Sequence, residues 1–548
     1  MRESIVVPEK PVYDGFDTWR KYQRDAVDKL VNTDKKFLIL DAPTGSGKSL
    51  VAMSLAKLMK GKVYYLVGTK NLQEQLIRDF SDMALLKGRR NFKCLMKDVN
   101  CDSCMYSYIK KVCPMKEECP YYSHKAKAQQ SKFVVFNYPM FLTNQTFAGD
   151  FPPADLIICD EAHLLENALM NFISISFSHE FFNELGLTFP SKAGRKEYAA
   201  GEKELSAADY SAYDEDRRKY VLDRINKAEK IANKEYSTIS GQMQMSLYAD
   251  EEPHILDIKK CKELGGKLKK IKFFKSLYDK DTWVMDYHIN QYDWHNDFVA
   301  FKPLKVDKFS DYIFSWADKI LLMSATMPHS SILCNSLGIN PKDIARLSIP
   351  STFKRENRPF IFRPIGRMSY SYWEDTIEKI IKFLMDYCDK HKEKILIHTV
   401  NYRITSAIMS AGFALDYELF FHETAEDRAV SLEKFKESEP PSMMVTPSME
   451  SGIDLPGDLC RTQFILKVPY LSLADRQVKE RMKIDHDWYI SSTINRLVQA
   501  SGRIVRSEDD WGKTYILDEC FADLIKYNKK FFPKWFLDSV AVQRRSSA

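Results

Sequence analysis

The chain of 548 residues lacks any apolar run long enough to cross a lipid bilayer, and its first ten residues lack the apolar segment of a secretory signal. These two absences lead us to expect an intracellular protein, either cytoplasmic or associated with the nucleoid. The chain also lacks internal repeats and long linkers rich in glycine, proline or serine. We therefore expect its inserted segments to pack against the main body.

Net charge is small as well, because 81 basic residues stand against 75 acidic ones and leave a formal charge of +6. This balance permits a polyanionic partner without requiring one. Cysteine is sparse except in one segment, where five of the eleven cysteines fall between positions 94 and 119. Clustered cysteines in a large intracellular chain indicate metal binding, whereas a secreted disulfide-linked protein would be short and rich in cysteine throughout.

Short apolar segments alternate with helical stretches in two parts of the chain. In the first part they lie at 37–40, 63–67, 134–136, 156–159 and 320–323, and in the second at 360–362, 395–398, 443–445, 464–466 and 515–517. Continuous apolar strands separated by helices are typical of parallel sheets that are covered on both faces. The pattern predicts an α/β fold with two doubly wound parallel sheets, which suits a chain too long for one hydrophobic core.

Two segments interrupt the first predicted sheet. One is the cysteine-rich segment at 86–130, and the other is a highly charged segment at 165–300 that lacks strand patterns and is expected to be mainly helical. The predicted domains are a first sheet domain at 1–85, 131–164 and 301–345, a cysteine-rich domain at 86–130, a helical insertion at 165–300 and a second sheet domain at 346–548.

A candidate phosphate-binding loop follows the first predicted strand. It consists of Ala42, Pro43, Thr44, Gly45, Ser46, Gly47, Lys48 and Ser49. Its two glycines allow the backbone N–H groups to turn towards phosphate, and the start of the next helix adds a favourable dipole. Lys48 is expected to reach the β- and γ-phosphates of ATP and Ser49 to bind Mg²⁺, although Ala42 replaces the first glycine of the common pattern.

Two adjacent acids, Asp160 and Glu161, follow the predicted strand at 156–159 and begin the sequence Asp-Glu-Ala-His. Asp160 can hold Mg²⁺ through water, while Glu161 can polarise the attacking water. Far along the chain, Arg503 and Arg506 stand three residues apart, which predicts that they share one helical face. Two guanidinium groups there would stabilise the charge of a transferring phosphoryl group. Together these segments predict an ATP-hydrolysing site.

Read in order, these segments resemble the motifs of superfamily 2 helicases of the DEAH-box kind. Motif I lies at 42–49, Ia at 67–71, II at 160–163, III at 324–326, V at 449–456 and VI at 499–506. Alanine at the first place of the loop is common in that superfamily. The segments at 88–94, 113–122 and 134–138 further resemble the XPD/DinG iron–sulphur group. The resemblance implies two RecA-like motor domains, an iron–sulphur domain at 86–130 and an arch-like domain at 165–300.

By the same resemblance, four cysteines would hold a [4Fe–4S] cluster. The favoured set is Cys94, Cys104, Cys113 and Cys119, with Cys101 as the alternative ligand. From the residues alone zinc stays open, because closely paired cysteines with more distant ones also suit tetrahedral Zn²⁺.

Further site residues follow from the resemblance. Gln23 and Asp454 would contact the nucleotide, and Gln499 would act with Arg503 and Arg506 in catalysis. The nucleic-acid contacts would be Thr69, Lys70, Thr399, Asn401, Thr446 and Glu450. Contacts of this kind go to phosphate and sugar rather than to base edges, so we expect binding that is largely independent of sequence.

The resemblance implies an ATP-dependent DNA helicase that moves 5′→3′ on single-stranded DNA and opens forked or overhang duplexes. Two alternatives stay open on the sequence. One is a DNA-dependent ATPase that translocates or displaces proteins without unwinding, and the other is a nucleic-acid-binding scaffold that ATP only switches. The sequence leaves the biological pathway and the protein partners open.

Overall fold

The computed structural model describes residues 4–13, 15–43, 45–96, 98–101, 104, 113–190, 207–249, 254–289, 294–413, 416–422, 424–447, 455–505 and 507–543. The predictions made for Thr44, Glu450, Asp454 and Arg506 lie outside these residues. Within the described part of the chain, no helix combines the length and the apolar character needed to cross a membrane.

The strands are β1 Phe37–Asp41, β2 Val63–Val67, β3 Met83–Leu85, β4 Phe133–Asn137, β5 Ala154–Asp160, β6 Ile175–Ser178, β7 Trp283–His288, β8 Phe298–Pro303, β9 Ala317–Ser324, β10 Ile344–Ser348, β11 Phe360–Gly366, β12 Lys394–His398, β13 Glu418–Phe420, β14 Ser442–Thr446, β15 Thr462–Ile465, β16 Lys513–Asp518 and β17 Val540–Val542.

The α-helices are α1 Gln23–Val31, α2 Lys48–Met59, α3 Lys70–Asp79, α4 Pro120–Gln130, α5 Tyr138–Phe147, α6 Leu165–Ile173, α7 His179–Asn183, α8 Ala207–Tyr248, α9 Ile255–Leu277, α10 Asp311–Phe314, α11 Ser330–Leu337, α12 Trp373–Lys390, α13 Tyr402–Met409, α14 Ala425–Glu437, α15 Arg476–Ile484, α16 His486–Ser501, α17 Cys520–Asn528 and α18 Lys534–Leu537.

The first sheet has seven strands in the order β10-β1-β9-β5-β2-β4-β3. Its central pairs, from β1 with β9 to β2 with β4, are parallel. All five residues of β2 are buried, as are four of the five in β1. Burial on both faces explains why these strands are continuous apolar runs rather than alternating ones.

The second sheet also has seven strands, in the order β13-β14-β12-β15-β16-β11-β17, and its pairs are parallel. Helix α12 covers it with one apolar stripe, in which Ile380 and Leu384 are fully buried. The prediction of an α/β fold with two parallel sheets is confirmed. Successive strands of β-branched and aliphatic residues, each followed by an amphipathic helix, leave few other ways to bury both surfaces.

The strand order of the first sheet brings the loops after β1, β5 and β9 together. Strand β9 lies between β1 and β5, so the loops after these three strands meet at one edge. The backbone N–H of Ala42, just after β1, donates to the carbonyl of Ser324 at the end of β9 over 3.1 Å. The phosphate loop and the acid pair therefore emerge on either side of a single strand.

The described residues form two compact units. One lies within 1–83, 132–166 and 307–548 and contains most of both large sheets, and the other lies within 84–131 and 167–306. In the second unit the long helices α8 and α9 pack against each other, and β6, β8 and β7 form an antiparallel sheet.

The charged segment contains long helices, and it also contains strands that its sequence pattern does not show. Strands β7 and β8 carry Asp286 and Lys302 among their apolar residues, which hides the strand pattern in the sequence. Aromatic packing stabilises this sheet, because Phe274 of α9 packs on Phe301 of β8 with their ring centroids 4.7 Å apart. Long-range packing, not local composition, makes these strands.

Candidate nucleotide site and its surroundings

The phosphate loop turns between β1 and α2 through two glycines with left-handed backbone. The φ angle is 80° at Gly45 and 75° at Gly47. A Cβ atom on Gly47 would lie 2.2 Å from Nε2 of Gln23, which leaves no room for a side chain there. Both glycines are thus required by the backbone path. Helix α2 begins directly after this turn, at Lys48.

The side chain of Gln23 holds this loop from within the protein. It is 1% exposed, and its Nε2 donates to the carbonyls of Ser46 over 2.9 Å and of Gly47 over 3.4 Å. Its Oε1 accepts from the backbone N–H of Arg20 over 2.9 Å. The structure therefore places this amide on the phosphate loop, and contact of Gln23 with the nucleotide stays a prediction.

Lys48 and Ser49 stand at the start of α2, facing the end of β1 and β5. The Lys48 ammonium donates to the carbonyl of Ala42 over 3.3 Å. The hydroxyl group of Tyr65 contacts both Ser49 and Asp160. It donates to Asp160 Oδ2 over 3.1 Å and forms a side-chain hydrogen bond with Ser49. The two residues predicted to bind Mg²⁺ thus meet through one tyrosine.

Asp160 ends β5 and is 7% exposed. A second tyrosine, Tyr138, donates to its backbone carbonyl over 2.9 Å. Burial raises the pKa of the Asp160 carboxyl above its ordinary value, and the charge of Glu161 acts in the same direction while Lys48 opposes it. Such a carboxyl group ionises fully when a cation is placed beside it.

Glu161 follows in the left-handed region, with a φ angle of 49°. Its Oε2 lies 3.2 Å from His163 Nδ1 and accepts from Ser324 Oγ over 3.3 Å. Burial acts to raise the pKa of Glu161, but the hydrogen bond with His163 lowers it, as do the charge of Lys48 and the hydrogen bond with Ser324. With this backbone conformation, the carboxylate of Glu161 contacts the histidine and Ser324.

His163 joins the two sheet domains. Its Nδ1 lies 2.8 Å from Ser324 Oγ, and its Nε2 contacts Nε2 of Gln499 on α16. The same amide group donates to Thr326 Oγ1 over 3.1 Å. Because the amide nitrogen donates, Nε2 of the imidazole accepts and Nδ1 carries the proton. Motifs II, III and VI of the predicted helicase site therefore form one hydrogen-bonded group.

The prediction that Arg503 lies on a helical face is wrong. Helix α16 ends at Ser501, and the N–H of Gly502 caps it by donating to the carbonyl of Gln499 over 3.2 Å. Arg503 follows in an irregular segment, where its carbonyl accepts from the N–H of Leu455 over 3.2 Å. The helix therefore ends before the first arginine.

The residues predicted to contact nucleic acid fall into two groups. Thr69 and Asn401 cap the starts of α3 and α13, and Lys70 is exposed. Thr399 and Thr446 are instead fully buried. The hydroxyl of Thr399 bonds with that of Thr405 over 2.6 Å, and the hydroxyl of Thr446 bonds with His422 over 2.8 Å. These two side chains therefore form hydrogen bonds inside the second domain.

Two sets of residues near these sites were not predicted from the sequence. The first set is Tyr65 on β2 and Tyr138 on α5, whose hydroxyl groups donate to Asp160. For Tyr65, the signal in the sequence is a hydroxylated ring in a strand that is otherwise apolar. The second set is exposed and follows β11, where Tyr370 is 88% and Tyr372 59% exposed. Beside them the guanidinium of Arg403 lies 4.0 Å from the ring of Trp373. Their signal is an aromatic run between a strand and a helix.

Five cysteines line one pocket in the cysteine-rich segment, together with Arg89, Leu95, Met96, Met115, Tyr121 and Tyr122. The cysteines are Cys94, Cys101, Cys104, Cys113 and Cys119. Within the described ranges, no group of three or more His, Cys, Asp or Glu side chains is arranged so that it could hold a metal ion. The structure thus gathers the five thiols without arranging them around an ion.

Cys101 is the most buried of these five, at 4% exposure. Burial raises the pKa of its thiol to about 11, and Cys119, Cys94 and Cys104 act in the same direction as close neighbours. Cys113 lies beside the thioether of Met96, at 3.9 Å between the sulphur atoms. Cys101 therefore lies buried among the other cysteines of this pocket.

Two family models match the chain. One, described as "Helicase C-terminal domain", covers residues 384–539, and the other, described as "Type III restriction enzyme, res subunit", covers residues 17–190. The first match falls in the domain of the second sheet. The other includes the phosphate loop and the acid pair.

Curated relatives and solved structures agree with these matches. The ATP-dependent DNA helicase DinG of Photobacterium profundum is 25% identical over 245 residues, which span 40% of this chain and 34% of that protein. The ATP-dependent DNA helicase YoaA of Escherichia coli is 23% identical over 571 residues, which span 88% of each. A solved structure named XPD_Helicase has a TM-score of 0.58 at 16% identity and covers 96% of this chain and 99% of its own. In its sequence relatives and its fold, the chain is similar to superfamily 2 helicases of the XPD/DinG type.

Proposed function

We propose that this chain is an ATP-dependent DNA helicase that moves 5′→3′ along single-stranded DNA and opens forked or overhang duplexes. The contact of Gln499 with His163 carries the proposal, because it joins the acid pair of the first sheet domain to a helix of the second. Through such a connection, a change at the acid pair can reach the second domain.

At the nucleotide site, the backbone of the phosphate loop and Lys48 bind the phosphates. Ser49 and Asp160 would hold Mg²⁺, which neutralises phosphate charge when it is bound. Glu161, turned onto His163 and Ser324, orients the attacking water. Arg503 and Arg506 supply positive charge from the second domain during transfer of the γ-phosphoryl group.

His163 is the coupling residue in this scheme. A shift of Glu161 after loss of the γ-phosphate changes its distance of 3.2 Å to His163. The imidazole then changes its contact with Gln499, and α16 moves with it. Successive opening and closing of the two sheet domains advances the protein along the strand.

Strand binding is supported by the exposed aromatic residues after β11. Tyr370 and Tyr372 lie between the end of β11 and α12, while the half-buried Trp373 is the first residue of α12 and is reached by Arg403 at the start of α13. Since β11 and β12 end at the same edge of the parallel sheet, both loops belong to one surface. Exposed rings with a neighbouring guanidinium suit stacking of unpaired bases of any sequence.

The pocket of cysteines is the proposed site of a [4Fe–4S] cluster. Thiolates are the ligands of such clusters, and five lie around the one pocket. Cys94, Cys104 and Cys119 are common to the sets considered, and the fourth ligand is either Cys113 or Cys101. Burial of Cys101 beside the other three supports that residue. Zinc is the alternative occupant.

Lys48→Ala should lower strand-stimulated ATP turnover by about 10²-fold, because it removes a cation from the developing phosphoryl charge. The measurement is phosphate release with and without oligo-dT. Lys57→Ala is the matched control, since Lys57 lies on the same helix and pairs with Asp82 over 3.1 Å.

Wild-type protein should also separate a duplex with a 5′ single-stranded tail and leave one with a 3′ tail intact. Turnover without strand separation would reduce the proposal to a translocating ATPase. ATP turnover that is not stimulated by added DNA, or that is unchanged in Lys48→Ala, would contradict the proposal of an ATP-driven DNA motor.

Gln499→Ala and His163→Ala should each lower kcat about tenfold while ATP binding is retained, because the phosphate loop stays intact. In a double-mutant cycle the two losses should overlap by about 1 kcal/mol, as expected for residues in contact. Steady-state kinetics and fluorescent-nucleotide titration give both quantities. Additive losses would mean that the contact does not transmit the effect, and Gln75→Ala provides an exposed glutamine control.

Protein purified without oxygen should contain iron and acid-labile sulphide in similar amounts. Cys119→Ser should lose both and lose unwinding, yet keep ATP turnover, because the cysteine segment lies outside the phosphate loop. Comparison of iron content in Cys101→Ser and Cys113→Ser identifies the fourth ligand, with the buried Cys388→Ser as control. Stoichiometric zinc without sulphide would replace the cluster by a zinc site.

Replacing Tyr370 and Tyr372 together by alanine should weaken oligo-dT binding, because base–aromatic stacking contributes about 1–3 kcal/mol per base. Fluorescence anisotropy at fixed salt measures the change. Phenylalanine at both positions should restore affinity, and Tyr527→Ala, at another residue that is 68% exposed, should leave it unchanged. Equal affinity of the alanine variant and wild type would remove this surface from the strand path.

A further inference from the structure

A buried arginine lies at a second contact between the two sheet domains. Arg481, on α15 of the second domain, is 1% exposed, and its guanidinium lies 3.9 Å from the ring of Trp488. It forms an ion pair with Glu166, in the first turn of α6, which belongs to the unit of the two large sheets, and it donates to Ser336 Oγ on α11 of the first domain over 3.0 Å. We call Glu166, Arg481 and Trp488 the interdomain anchor.

Each member of the anchor has a partner in the other domain. The second oxygen of Glu166 accepts from Nε1 of Trp488 over 3.2 Å, so this carboxylate contacts both residues of the second domain. Asn335 donates to Asp485 over 2.8 Å at the side of the anchor, and Ile332 packs in the same hydrophobic cluster as Trp488. Polar and apolar contacts thus cross the interface together.

Such a pair is poorly explained by affinity alone. A buried ion pair gains little over a well-packed apolar contact, because both charges must leave water. It does restrict the relative orientation of its partners, since the planar guanidinium accepts few geometries. The anchor is therefore suited to setting an angle between the domains.

Helix α16 connects the anchor to the nucleotide site. Trp488 stands in its first turn and Gln499 near its end, about 16 Å apart along a helix. The first contacts Glu166 and the second contacts His163, so both ends of α16 meet one short segment that follows Asp160. A rotation of about 4° about the Trp488 end would displace the Gln499 end by about 1 Å.

We propose that Glu166, Arg481 and Trp488 form a pivot between the motor domains that persists without nucleotide. Helix α16 turns about this pivot, which brings Gln499 and Arg503 into and out of the nucleotide site. Arg481 is thus a positioning residue that acts through Gln499. The inference rests on the proposed function, because it assigns the pivot to the ATP-driven movement.

The kinetic test uses variants that keep the fold. Arg481→Ala leaves a carboxylate buried without its partner and risks unfolding, so Glu166→Gln, Arg481→Lys and Trp488→Phe are preferred. Each should lower kcat of strand-stimulated turnover by about ten- to a hundredfold, since a displacement of 1 Å costs up to about 10²-fold. The KM for ATP should stay within about twofold, because the phosphate loop is untouched.

The matched control has the same chemistry within a single domain. Arg461 lies 4.8 Å from the ring of Trp511 and pairs with Asp510, all in the second domain. Arg461→Ala should therefore keep kcat. Adding Gln499→Ala to Trp488→Phe should lower kcat little further if the anchor acts through Gln499. Unchanged kcat in the three anchor variants, or full additivity with Gln499→Ala, would overturn the proposal.

Hydrogen–deuterium exchange of the nucleotide-free protein separates the pivot from the proposed function. Amides of α15 and the first turn of α16 should exchange faster in Glu166→Gln and Trp488→Phe than in wild type, and Arg461→Ala should not change them. Exchange at the wild-type rate in both anchor variants would refute a persistent pivot. If wild-type protein shows no ATP turnover, the proposed function fails, while this exchange comparison still decides whether the anchor holds.

Discussion

The contacts of one imidazole connect the chemistry of this protein to its two-domain architecture. His163 lies 3.2 Å from Glu161 and 2.8 Å from Ser324 in the first sheet domain, and it contacts Gln499 in the second. An imidazole suits this place, because its two ring nitrogens contact partners on opposite sides of the ring. Loss of any partner would leave a buried polar group without its hydrogen bond, so the three elements are held together.

This arrangement depends on the order of strands in the first sheet. Since β9 lies between β1 and β5, the phosphate loop, the acid pair and Ser324 all emerge at one edge. The tyrosines near Asp160 come from β2 and α5, on the far side of β5. They surround the acid with buried hydroxyl groups, which explains how a carboxylate can stand at the end of a strand that is apolar on both faces.

Helix α16 is where nucleotide chemistry and domain geometry meet. Its end contacts His163, and its first turn belongs to the buried group of Glu166, Arg481 and Trp488. In the proposed pivot, the Trp488 end of this helix is fixed, and the Gln499 end moves with changes at the nucleotide site. The buried ion pair of Arg481 and Glu166 restricts the relative orientation of the two domains more than it strengthens their association.

Sequence alone determined the two parallel sheets, the glycine turn before Lys48 and the acids after β5, because these features follow from local periodicity and from the backbone needs of neighbouring residues. It missed β7 and β8, whose charged residues mask strands stabilised by distant aromatic rings. Only the tertiary structure decided that Gln23 holds the phosphate loop, that Tyr65 joins Ser49 to Asp160, and that Arg481 meets Glu166. The physical reason is that these contacts join positions far apart in the chain, and their formation depends on packing that no local pattern records.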